Sequence, residues 1–255
     1  MGSMMPNPDP PAPERRDEPI AGWRVWNLSE DAAGVRLQPA GSGVDPWQPR
    51  HAVEARCGVS PILTFGIGPH RSPDIRCRCG IYASRSLDEF ERPRPAWPPP
   101  TVVGTVALWG TVVEHERGWR GQFAYPARLL LVCAMCAWFE PGPGVPEVVH
   151  TFAGNLYALC AMHRGGIQVP DGRRTTPTGM DPHELQGRVL DTYAVDLLPI
   201  GMVRSLFTQP PTRRIDLYLP SISVVPVEEE GRPNRTTWPR EGSFLRALFD
   251  MFRPA

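Results

Sequence analysis

Proline sets the first limit on this fold. The chain carries 32 prolines in 255 residues, and each fixes φ and removes a backbone donor. Long helices are therefore disfavoured, and strands joined by turns and extended loops are expected. Composition is otherwise that of a globular protein, 41% hydrophobic and 21% charged. A chain of this length can bury a core without disulfide staples. All 27 cationic side chains are arginine, a bias that GC-rich coding produces without any mechanism. The formal charge of zero removes a whole-chain electrostatic case for nucleic acid, though not a local one. No apolar run approaches a membrane span, so no membrane partner is expected. The opening MGSMMPNPDPPAPERRDEP lacks the apolar stretch of a signal peptide. A cytoplasmic location is the expectation, and there the six cysteines are metal ligands, active thiols or core residues rather than disulfides.

Residues 1–19 read as a disordered leader, because their composition cannot bury enough apolar surface to offset ordering entropy. GWRVWNL (22–28) alternates as a strand, and a loop-rich stretch follows to about residue 56, anchored by Trp47. CGIYA (79–83) reads as a short buried strand, and SLDEFE (86–91) as a short helix capped by Ser86. PRPAWPPP (93–100) breaks regular structure. Residues 101–132 form a β-meander, turning at ERG (116–118), with Gly104 and Gly110 at bends or bulges. PGPGVP interrupts 137–150 as a loop. TFAGNLYALCAMH (151–163) has a helical pattern, and 183–207 carries a helix up to Pro199. IDLYLPSISVVPV (215–227) is strand-like, and GSFLRALFDMF (242–252) is an amphipathic helix able to dock on the core or on a protein partner.

The cysteines fall into two groups, each with a histidine. CAMC supplies Cys133 and Cys136, and CAMH supplies Cys160 and His163 after a further 23 residues. CxxC and CxxH each turn two donors toward one point, and two such pairs complete a tetrahedral Cys3His zinc site. The alternative is buried core cysteine, since LLLVCAMCAWF is apolar. The other group is Cys57, His70, Cys77 and Cys79, the last two as CRC among glycines and prolines that permit tight turns. It too totals Cys3His; core cysteines with a surface histidine, or a reactive thiol pair, are its alternatives. Four protein donors fill a tetrahedral zinc and leave no open position, so one or two structural zincs are expected rather than catalysis.

Other motifs fail. GIY at 80–82 lacks the YIG partner of the GIY-YIG nucleases, and no GxSxG, Walker loop or HExxH occurs. A zinc deaminase needs His-x-Glu and Pro-Cys-x-x-Cys, whereas His115 adjoins Glu114 and Glu116 and no proline precedes CAMC. The alternative enzyme reading uses His115 with Glu114 or Glu116.

HRSPDIRCRCGIYA followed by GTVALWGTVVEHERGWRGQFAYP resembles a group of uncharacterised actinobacterial proteins, over residues 22 to about 135, and implies no activity. The order of strand CGIYA, short helix and VVGTVALWGTVVE is similar to the core of PUA-like barrels, including the ASCH and EVE types. That resemblance implies reading of RNA or modified bases by aromatic and arginine residues around the segment. A physical case stands beside it. Residues 71–128 hold nine arginines against six acids, with aromatics interleaved. Aromatic faces stack on bases, worth roughly 1–3 kcal/mol each, while arginines pair with phosphates. The candidates are Trp109, Arg117, Trp119, Arg120 and Tyr125; a solvated arginine face over core aromatics is the alternative.

The expectation is thus an α+β protein with a β-barrel-like core, zinc knuckles and a helical C-terminal region. The leader occupies 1–19, a β-rich barrel-like domain 20–135, and a mixed α/β region 136–255 packs on it. Its expected function is non-catalytic recognition of nucleic acid, with an enzyme or a protein-interaction adaptor as alternatives.

Overall fold

The computed structural model of the chain describes residues 14–40, 45–57, 70–87, 99–169 and 172–208. In chain order its strands are β1 (Glu14–Asp31), β2 (Gly34–Pro39), β3 (Val53–Glu54), β4 (Ile81–Ser84), β5 (Val102–His115), β6 (Gly118–Leu131), β7 (Val148–Phe152), β8 (Asn155–Leu159), β9 (Thr176–Pro177) and β10 (Asp196–Leu197). The helices are α1 (Ala134–Trp138), α2 (Pro182–Tyr193) and α3 (Ser205–Thr208). All ten strands join one sheet. Strand β1 pairs with β5, β5 with β6, β6 with β4, and β4 returns to β1 where Ser84 faces Trp23. These four strands close a ring of pairings, which gives the barrel-like character expected. Short helices, none long and apolar enough to cross a membrane among the described residues, complete the fold.

The β5–β6 meander turns at Glu116 and Arg117 as expected. Its pairing shifts register between Thr105 and Val106 and between Trp109 and Val112, next to the two glycines that signalled bends. Gly110 has φ +77°, a conformation that side-chain-bearing residues rarely adopt. Strand β1 extends further back than its hydrophobic pattern showed. Glu14, Arg15 and Arg16 pair with Val112, Thr111 and Gly110, so residues 14–19 belong to the sheet rather than to the expected leader; residues 1–13 lie outside the described residues. Backbone pairing does not require the apolar composition on which the leader was inferred.

Three further expectations change. Residues 151–163 form the β7–β8 hairpin and a 3-10 turn over Ala161–His163, not a helix. The hairpin turns on Ala153 and Gly154, at φ +48° and +77°, a two-residue turn whose twist matches the strands. Helix α2 starts at the Asp181 cap, whose carboxylate accepts from the His183 and Glu184 amides at 2.7 and 3.2 Å. It ends well before Pro199, because Ala194 turns left-handed at φ +50° and β10 then runs parallel to β6. Strands β2 and β3 lie in the stretch read as loop. The helix over 86–91 falls mostly outside the described residues; the strand over 215–227 and the helix over 242–252 fall wholly outside them. Chain on both sides of residue 135 contributes to the sheet, since β8 pairs with β1 and β10 with β6.

Trp47 is the anchor its sequence position promised. It is buried edge-on against Trp26, ring centroids 5.5 Å apart. Tyr193, at the end of α2, locks this corner: its hydroxyl donates to the Trp47 carbonyl at 2.7 Å and accepts from the Leu37 amide at 2.8 Å. Replacing Tyr193→Phe orphans both buried groups, and urea unfolding should show a loss of about 2 kcal/mol or more. A loss under about 0.5 kcal/mol would mean that water satisfies both groups instead.

Candidate metal centres

The second Cys3His group is built from two short stretches of chain, 133–136 and 160–163. Cys133 follows β6 and stands at the N-terminus of α1, its amide donating to the Gly144 carbonyl at 2.8 Å. Cys136 lies one turn further along α1. Cys160 leaves β8, and the 3-10 turn that follows closes with the His163 amide on the Cys160 carbonyl at 2.9 Å. Gly142 permits the closest approach, for a Cβ there would lie 2.5 Å from the Cys136 sulfur. The three cysteines are completely buried in a core that includes Trp138, Leu159, Leu206 and Phe207.

Their donor atoms converge. The His163 Nδ1 lies 3.4, 3.6 and 3.3 Å from the sulfurs of Cys133, Cys136 and Cys160, and the Cys136 and Cys160 sulfurs are 3.6 Å apart. Disulfides are excluded, since bonded sulfurs sit about 2.05 Å apart. A tetrahedral zinc with bonds of about 2.3 Å to sulfur and 2.0 Å to nitrogen spaces its sulfurs about 3.8 Å apart and each about 3.5 Å from the nitrogen. The observed set fits that frame. Burial pushes the Cys133 and Cys136 thiols well above their ordinary range, so without a cation they stay protonated. A bound divalent ion inverts this preference, because a coordinated thiol is deprotonated outright. The other ring nitrogen of His163, Nε2, lies 2.7 Å from a Glu140 carboxylate oxygen. A carboxylate behind a ligating histidine fixes its tautomer and raises its basicity. Glu140 carried no sequence signal, being one acid in WFEPG outside any ligand spacing.

The first group sits nearer the surface. Cys77 and Cys79 are buried, Cys57 and His70 half-buried. All four donor atoms lie within 4.8 Å of one another, with 3.7 Å between the Cys57 and Cys77 sulfurs and 3.3 Å from His70 Nε2 to the Cys79 sulfur. A turn prepares the site: the Arg76 amide donates to the Asp74 carboxylate at 2.8 Å, and the Cys77 amide to the Asp74 carbonyl at 3.1 Å. The Arg76 amide and then its guanidinium, both bonded to the carboxylate, hold the Asp74 carboxyl below its usual range. Gly80 follows at φ +127°, where a Cβ would press on Arg120 at 2.9 Å.

Arg120 explains that close approach. It is 8% exposed, and its guanidinium donates inward to the Cys77 carbonyl and, at 3.0 Å, to the Cys79 carbonyl. The structure thus corrects the reading of Arg120 as an exposed phosphate contact at a hairpin tip; strand alternation on β6 points it at the CRC loop. Trp119 is half-buried against the core beneath the Arg85 guanidinium, 4.9 Å from its ring centre. Arg117 is exposed at the turn. Trp109 stacks with Phe123 at 6.0 Å. Tyr125 donates to the Tyr193 carbonyl at 2.7 Å and accepts from the Arg50 amide at 2.8 Å. Trp109, Tyr125 and Arg50 line one shallow cleft of about 360 Å³.

Of the two acids the enzyme reading offers His115, Glu114 is engaged elsewhere. Glu114 is ion-paired to Arg85 at 2.6 Å, and His115 Nε2 is buried without a hydrogen-bond partner among the described residues. Burial and the Arg120, Arg85 and Arg117 charges hold His115 below the usual imidazole range, neutral at pH 7. Comparison with protein-family models, curated proteins and solved structures gave no match.

Each centre has one non-ligand support that can be tested. Glu140→Gln should weaken metal binding at the second centre about tenfold, and Arg120→Ala should selectively weaken the first. Competition against a chromogenic chelator separates the two. Wild-type affinity in both variants would show that neither support matters.

Proposed function

We propose that this chain is a non-catalytic, zinc-stabilised recognition module whose ligand is nucleic acid. One observation carries the first half: each group offers four converging protein donors, three thiols and an imidazole. That set suits zinc and leaves no coordination position for water or substrate. Cys133, Cys136, Cys160 and His163 would hold one ion, and Cys57, His70, Cys77 and Cys79 the other. Bound zinc supplies folding energy here rather than a nucleophile.

The nucleic-acid half is supported by two groupings of aromatic and cationic side chains on the sheet. Trp109 and Tyr125 line the cleft with Arg50, and Trp119 lies under Arg85. Planar faces beside guanidinium groups suit a base with its phosphate. The likeness of the 79–115 segment to PUA-like barrels points the same way.

Purified protein should contain two zinc ions per chain by elemental analysis, and a strong chelator should unfold it. It should bind short RNA or DNA with an affinity that falls as salt rises. Trp109→Ala should lower that affinity at every salt concentration while the zinc content stays at two. Metal-free folded protein with six titratable thiols would overturn the zinc reading, and no binding to single- or double-stranded nucleic acid at low salt would overturn the ligand.

A further inference from the structure

We infer that the first Cys3His knuckle is itself the phosphate-gripping surface, through arginines set beside its ligands. The inference rests on the nucleic-acid reading above and gives that reading a place on the molecule. Each ligand of this group has an arginine as its chain neighbour. Arg56 precedes Cys57, Arg71 follows His70, and Arg76 and Arg78 flank Cys77, with Arg78 also preceding Cys79. Geometry turns that pattern into a surface. Four side chains drawn inward to one point leave the side chains next to them to face outward, and in an extended CxC segment the middle residue points away from both cysteines. Arg56, Arg71, Arg76 and Arg78 are all exposed.

The second centre provides the contrast. Beside its ligands stand Val132, Ala134, Ala137 and Leu159, completely buried, and Ala161, Met162 and Arg164, exposed. The same donor set is therefore flanked by four arginines at the first centre and by one, Arg164, at the second.

Charge at the knuckle favours an anion. Its described acids are Glu54 and Asp74, and Asp74 already accepts from the Arg76 amide at 2.8 Å and from its guanidinium at 3.4 Å. Three thiolates on a divalent zinc leave one negative charge at the centre, which the buried Arg120 offsets from below. Arg56, Arg71 and Arg78 are exposed beside the ligands, and Glu54 is the other described acid next to the group in the chain. Guanidinium groups bind phosphate oxygens through paired, planar hydrogen bonds. Among the described residues, none of the exposed large apolar side chains, Val145, Met162, Leu197, Ile200 and Met202, flanks a ligand of this group, so its described surface favours a nucleic-acid backbone over a lipid.

The test is a full-length triple variant, Arg56→Gln with Arg71→Gln and Arg78→Gln, which leaves every metal ligand in place. Fluorescence anisotropy with labelled single-stranded RNA, single-stranded DNA and duplex would be run across a salt series. The variant should keep two zinc ions, bind about tenfold more weakly or worse at low salt, and show a salt slope shallower by about 2. Arg204→Gln, an exposed arginine elsewhere, should change nothing. Arg71→Gln alone, flattening the slope by about 1, serves if the triple variant fails to fold. An unchanged slope in variants that hold both zincs would overturn this inference and leave the nucleic-acid reading standing. Wild-type protein that binds none of the probes would overturn both. Wild-type binding to phosphatidylserine vesicles in place of the probes, lost in the triple variant, would overturn the choice of partner.

Discussion

Three sulfurs and an imidazole nitrogen meet inside an apolar pocket, in a core cluster that gathers Val132, Trp138, Leu159, Leu198, Leu206 and Phe207. Helix α1 has five residues and the 3-10 turn at Ala161–His163 has three, far too few to be stable by themselves. What joins them is the set of Cys133, Cys136, Cys160 and His163, with Glu140 behind the histidine. As neutral thiols these groups would contribute little more than small apolar side chains. Around a zinc ion they would become a cross-link between two chain segments, a link worth about 10–16 kcal/mol in zinc-finger peptides at pH 7. Whole domains of ordinary stability have only about 5–15 kcal/mol. A bound metal on that scale would rival the stability of a whole domain.

Strand β6 ties the two centres together. Near its start Arg120 reaches the carbonyls of Cys77 and Cys79, and two residues beyond its end Cys133 enters the second group. Between them β6 pairs with β3, β4, β5 and β10. The ring of strands therefore supports both Cys3His groups from one element. Equal donor sets with unequal burial divide the labour: the second centre is enclosed by side chains of the core, whereas Cys57 and His70 remain in reach of solvent.

The two candidate metal groups were legible because chelate spacing is a local property. CAMC and CAMH need only a turn each, and CRC needs only the glycine that follows it. Glu140 and Arg120 were not legible, for opposite reasons. Glu140 reaches His163 across 23 positions of chain, and Arg120 reaches Cys77 across 43; neither is a ligand, so no spacing rule includes them. The β5–β6 meander was readable from its small and β-branched residues and its turn. The β7–β8 hairpin was not. Leu156, Tyr157, Ala158 and Leu159 are buried in succession, a run that periodicity cannot assign to strand or helix. The turn that decides it uses Ala153 in a left-handed conformation, where asparagine would have been the recognisable signal. The early end of α2 is hidden likewise by Ala194.

Zinc X-ray absorption on the purified full-length protein tests the central claim most directly, because it reads the ligand shell without requiring an activity. The account predicts two zinc ions per chain, with an average shell of three sulfurs at about 2.3 Å and one nitrogen at about 2.0 Å, and no bound water oxygen. A shell with fewer sulfurs and an oxygen ligand at either centre, or folded protein without zinc, would contradict it.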